Sequence, residues 1–162
     1  MRLAVRLLLL VLLLSEPPLA AASSTTPPPS PPAVADEAAE HLLNLLNAER
    51  HRRGLVPLQR ISDVAAAAQR RADEIVENFS HARPAGTLAD LLEAVGQPSR
   101  AYGETLAVTQ SVAAIAAAER AHELLMASDT HRRLLLSPDF EYVGVGTGRR
   151  GQRWYFVQIL VA

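Results

Sequence analysis

The run Trp154-Tyr155-Phe156-Val157-Gln158-Ile159-Leu160 carries a single polar side chain. Successive side chains of a strand point to opposite faces, so a nearly continuous apolar strand has to be covered on both. Such a strand belongs in the middle of a layered fold. Upstream, Tyr142-Val143-Gly144-Val145-Gly146 reads as a partner strand, joined to it through Thr147-Gly148-Arg149-Arg150-Gly151-Gln152 as a C-terminal β-hairpin. Residues 101–109 read as extended as well.

The cover has to come from helices. In residues 36–53, Leu42, Leu43, Leu45, Leu46 and Ala48 recur at helical spacing, and Gly54 follows as a stop. Ser62-Asp63 reads as the cap of a second helix through Val64, Ala67, Ala68, Ala72, Ile75 and Val76, ending near Asn78. Residues 79–86 read as a loop, and Thr87 with Asp90 opens a short helix ending at Gly96. Ser111 reads as the cap of an Ala-rich helix to about Met126, followed by a helical turn over residues 130–136 that Ser137-Pro138 stops. The fold class expected is α+β: a small sheet between helical layers.

The 162 residues leave room for one domain, and 49% hydrophobic composition is enough for its core. Sixteen basic residues, all Arg, against seventeen acidic ones give no cationic surplus, so nucleic acid is not an expected partner. Arg2 and Arg6, the apolar residues 7–14 and Leu19-Ala20-Ala21-Ala22 read as a cleaved secretory signal over residues 1–22. The apolar run is shorter than the roughly 20 residues that span a bilayer, so no stable membrane anchor is expected. Residues 23–35, with Pro27-Pro28-Pro29-Ser30-Pro31-Pro32, read as a polyproline II linker, and residues 36–162 as the domain. With no cysteine, the fold has no disulfide to rely on.

Five phrases in this order resemble the bacterial, cysteine-free SCP-like branch of the CAP superfamily (cysteine-rich secretory protein, antigen 5, pathogenesis-related 1). They are Asn47-Ala48-Glu49-Arg50 with Gly54 and Leu58; Phe79-Ser80-His81; Gly103-Glu104; Thr130-His131-Arg132; and Gly144-Val145-Gly146 before the strand from Trp154 to Gln158. The resemblance covers residues 36–162 and implies an α-β-α sandwich with a small antiparallel central sheet flanked by helices. Thr105 stands where the family has Asn after Gly-Glu, and Asp129-Thr130 where it has Pro-Gly.

The resemblance also implies a cleft into which His81, Glu104, Glu123 and His131 converge, Glu123 being placed only by its helical position eight residues before His131. Two imidazoles, His81 and His131, can ligate a metal while carboxylates orient them or activate a water. The expectation is a weak Zn²⁺ site with no cofactor required, because two protein ligands fall short of the three of a catalytic zinc. The competing reading makes the four residues a hydrogen-bonded cluster that holds helix ends together. If there is catalysis, Glu104 or Glu123 is the base.

Other motifs carry less. His122-Glu123-Leu124-Leu125-Met126 fails the zincin pattern because Met126 stands at the second ligand. No Gly-x-Ser-x-Gly elbow occurs, and Ser80 has only adjacency to His81 in its favour. His41 and His51 read as part of a solvated helix face, His122 as a surface or boundary residue, and Arg149, Arg150 and Arg153 as a soluble turn or an anion-facing loop. The leading function is a secreted binding module for a lipid or other small apolar ligand, in a cleft lined by alanines and leucines, or for a protein partner. The alternatives are a metal-assisted hydrolase of peptide or cell-wall material, and an interaction domain with a vestigial cleft.

Overall fold

A computed structural model describes residues 31–99 and 101–162. The expected signal peptide and residues 23–30 of the expected linker lie outside the described residues. The elements run α1 (Pro31–Arg52), β1 (Gln59–Arg60), α2 (Ser62–Glu77), α3 (Leu88–Ala94), β2 (Tyr102–Gln110), α4 (Ala114–Ala127), α5 (Asp129–Leu135), β3 (Tyr142–Arg150) and β4 (Arg153–Val161). The sheet order is β1-β3-β4-β2. β4 pairs antiparallel with both neighbours, while the two-residue β1 adds in parallel to β3, so the sheet is not wholly antiparallel.

β4 is central and covered on both faces, as its apolar run requires. Trp154, Phe156 and Leu160 join α1, α4 and α5 in one buried cluster, and Tyr155, Val157, Ile159 and Val161 join α2 and α3 in another. Gln158, the polar member of the run, is buried and accepts a hydrogen bond from Thr105 Oγ1 at 3.1 Å.

α2 lies directly on β3 because two glycines permit it. A Cβ on Gly144 would stand 2.1 Å from the carbonyl oxygen of Val64, and one on Gly146 2.1 Å from that of Ala68. The Gly-Val-Gly phrase is therefore a seat for a helix backbone, and Ala67, Ala68 and Ala72 keep the facing surface thin. The Asn47–Arg50 phrase is structural too. Asn47 exchanges hydrogen bonds with the backbone of Leu58, and the buried Arg50 donates to the carbonyls of Val56, Leu135 and Ser137 at 2.8 to 2.9 Å.

Several local expectations need correction. α1 begins at Pro31, not Asp36: residues 31–35, expected as extended linker, form its first turns, and Val34 packs against the core. Neither serine caps its helix. Ile61 occupies the N-cap of α2 and Ala113 that of α4, both without a side-chain hydrogen bond, while the Ser111 hydroxyl bonds the backbone of Ala113. The hairpin connection is two residues rather than six, because β3 continues to Arg150 and Gly151, at φ +62°, makes the turn. The expected capping box of α3 is present, with Thr87 and Asp90 bonded reciprocally.

Candidate functional site

α2 is apolar on its sheet-facing stripe at Val64, Ala67, Ala68, Ala72 and Ile75, and Arg71 lies within that stripe at 1% exposure. A buried guanidinium demands carboxylates. Across from it, Glu104 projects from β2, its side chain 7% exposed, and takes Arg71 Nε at 2.6 Å and Nη2 at 3.3 Å. Arg71 Nη1 reaches Glu74 at 2.5 Å, and Nη2 also donates to the Ser80 carbonyl at 2.9 Å. Arg83 closes the other side of Glu74 at 2.7 Å and donates to the Thr87 carbonyl at 2.8 Å. Two guanidiniums and two carboxylates thus alternate from β2 to the loop after α2. They pin that loop at Ser80, Arg83 and Thr87.

His81 sits on the pinned loop. Its Nδ1 is 2.8 Å from Glu104 Oε2, while its side chain is 61% exposed. A carboxylate facing Nδ1 fixes the ring with Nε2 turned away from Glu104. His131 approaches from the opposite layer: Leu134, one turn further along α5, covers Gly103, whose added Cβ would stand 2.5 Å from Leu134 Cδ1. Burial lowers the pKa of His131, and the neighbouring charge of His81 lowers it further. For Glu74, burial pushes the pKa up, but the Arg83 and Arg71 hydrogen bonds outweigh it and hold the carboxyl below its ordinary value.

Of the four expected residues, the structure brings His81 and Glu104 into contact and His131 into electrostatic range. Glu123 it does not bring: the side chain is 63% exposed on α4 and bonded to Arg120. Thr105 faces away from the site, since its neighbour Glu104 takes the α2 side of the strand and Thr105 bonds Gln158. His122 is half-buried, its pKa lowered by burial. His41, expected on a solvated face, has its Nε2 buried 3.6 Å from Glu119 of α4, whereas His51 is exposed.

As a metal site the donor set falls short. Both Glu104 oxygens are engaged by Arg71 and His81, and no group of three or more His, Asp or Glu suited to a metal occurs among the described residues. Two imidazoles remain, one short of the three protein ligands that a catalytic zinc takes.

Beside this centre lie two hollows, and of the alanines and leucines expected to line the cleft only Ala82 is present. One, of about 360 Å³, is walled by Phe79, Val108 and Tyr155 with Thr109, Gln110 and Arg153 at its polar side. The Phe79 and Tyr155 rings are 6.4 Å apart. The other, about 410 Å³, lies beyond Arg71 between Asn78, Ala82 and Pro84, with Asp73, Glu74 and Glu77 around it.

The family model described as "Cysteine-rich secretory protein family", CAP, matches residues 43–160. The chain is 29% identical over 116 residues to the uncharacterized protein YkwD of Bacillus subtilis, covering 70% of this chain and 43% of YkwD. It therefore spans less than half the length of that relative. An extracellular protein containing a SCP domain from Bacillus anthracis has the same fold at a TM-score of 0.69, 24% identity, over 84% of this chain and 45% of that one. An outer surface protein from Borrelia burgdorferi gives 0.69 at 18% identity over 78% and 93%. NaASP2, solved with Zn²⁺, gives 0.60 at 14% identity over 81% and 82%.

Proposed function

The chain belongs to the CAP family, and on that premise we propose that it acts outside the cytoplasm, after loss of residues 1–22, as a binding module for a small apolar or lipid-like ligand. The observation that carries this reading is the state of Glu104. A general base needs a carboxylate free to take a proton, and this one is held by a buried guanidinium on one side and an imidazole on the other. Glu123, the other candidate base, is on a different surface. What the network does offer is a rigid platform: His81 held with Nε2 turned away from Glu104, and Phe79, two residues earlier on the same loop, forming a wall of the aromatic hollow. A ligand seated against Phe79, Val108 and Tyr155 has polar contacts in Thr109, Gln110 and Arg153 of the same hollow. The extracellular and outer-surface descriptions of the Bacillus anthracis and Borrelia proteins support the compartment. A weak Zn²⁺ contact through His81 and His131 is compatible with the reading and required by no part of it.

The test is equilibrium binding of a fluorescent fatty acid and a fluorescent sterol to the secreted chain, with casein and peptidoglycan turnover measured alongside. Saturable binding that Phe79→Ala weakens about tenfold is expected. Turnover that Glu104→Gln abolishes while the fold survives would instead establish the hydrolase.

A further inference from the structure

The end of the sandwich where β3 turns into β4 carries side chains for which neither the core nor the His81 centre has a use. Val112 is 75% exposed there, Phe79 48% and Val108 37%. Val112 is held beside the turn from two directions: the Ser111 N–H donates to the Gln152 carbonyl at 2.9 Å, and Trp154 Nε1 donates to the Ser111 carbonyl at 3.2 Å. The same turn carries Arg149, Arg150 and Arg153. Arg149 lies over Trp154, 5.0 Å from the ring centroid, and Arg150 bonds Glu77. No carboxylate lies within ion-pair distance of Arg149 or Arg153 among the described residues. Glu77 pairs with Arg150, which leaves the positive charge of the turn on Arg149 and Arg153. Thr147 donates to the Ala35 carbonyl at 3.2 Å, so the exposed Asp36 and Glu37 of α1 flank the sheet face of Arg149, while Arg150 and Arg153 take the α2 face.

An exposed apolar side chain beside a turn that carries arginines is matched by a surface that is anionic outside and apolar just beneath. A soluble polyanion matches only the arginines and leaves Val112 in water. We propose that this end of the molecule docks onto an anionic phospholipid bilayer, with Val112 entering the headgroup layer and Arg149 and Arg153 meeting the phosphates. Arginine suits that position because its stem lies along apolar surface while its head stays at the phosphate level. The docked face borders the Phe79 hollow, so a lipid-like ligand would have a short path into it.

The test is co-sedimentation of the chain from Ser23, which contains the whole described fold, with vesicles of phosphatidylcholine alone or mixed equally with phosphatidylglycerol. Binding to the mixed vesicles at least tenfold above phosphatidylcholine is expected, and about 1 M salt, with a screening length of about 3 Å, should remove it. Arg149→Gln should weaken it about fivefold, and Val112→Asp should weaken it further. Neither residue lines the Phe79 hollow, so their failure to matter would leave the ligand reading intact. Equal binding to both vesicles, binding to neither, full binding by both variants, or equally tight binding to soluble poly(glycerol phosphate) that Val112→Asp leaves unchanged would each overturn the proposal.

Discussion

Arg71→Met keeps an unbranched apolar stem and removes the guanidinium. The loss is concentrated. Glu104, 7% exposed, keeps His81 as its single side-chain partner; Glu74 keeps Arg83; and the Ser80 carbonyl loses its donor. Breaking a buried pair from one side leaves the other charge uncompensated and costs about 3–5 kcal/mol. Removing both charges leaves nothing orphaned, so Arg71→Met combined with Glu104→Leu should be more stable than Arg71→Met alone by about 2 kcal/mol. Urea unfolding followed by the fluorescence of Trp154, which is 2% exposed, reads each variant. A single-variant loss under about 1 kcal/mol, or a double variant that loses the sum of the singles, would refute the account of a buried charge network at the base of the site.

Two further outcomes follow from the packing and from the histidines. Gly146→Ala puts a Cβ against the backbone of Ala68, which can yield only if α2 lifts, so a loss of about 3 kcal/mol or more is expected; Gly103→Ala meets only the tip of Leu134 and should lose about 1 kcal/mol by the same denaturation assay. His122 and His131 both have pKa values depressed by burial from 6.5, so the unfolded chain binds more protons; stability is full above about pH 6.5, falls as the pH drops through the depressed values, and should fall less in His122→Gln, as measured by the urea midpoint at pH 7 and pH 5.

Most of the fold was legible because burial imposes period. The apolar run of β4 demanded cover on both faces and received it from α1 and α4 on one side and α2 on the other. Thr87 and Asp90 announced a capping box because reciprocal bonding needs that spacing. The misreadings come from residues with two uses. Proline blocks a helix interior but is tolerated in the first turn, where its missing N–H has no acceptor anyway, so Pro31 and Pro32 read as linker and stand at the start of α1. Serine ahead of an apolar run suits a cap but can equally close a local turn on its own backbone, as Ser111 does with Ala113. β1 had no pattern of its own to find, being two residues laid along β3.

The family phrases singled out His81 and Glu104, which the structure brings into contact, whereas helical period accounts for the misplacing of Glu123 and the missing of Arg71. The buried stripe of α4 runs through Ala114, Ala117, Ala118, Ala121 and Leu125, and a residue at 123 falls between its turns. Glu123 was therefore excluded from a buried cluster by the same spacing that identified its helix. Arg71 is the converse. It falls on the stripe of Val64, Ala67, Ala68, Ala72 and Ile75, where a charge has to find a buried counter-charge on whatever the helix covers. Glu104 is that counter-charge, held between Arg71 and His81. An arginine on an apolar stripe, read beside a lone carboxylate on a facing strand, was thus the sequence signal for the network; the general abundance of arginine in this chain hid it.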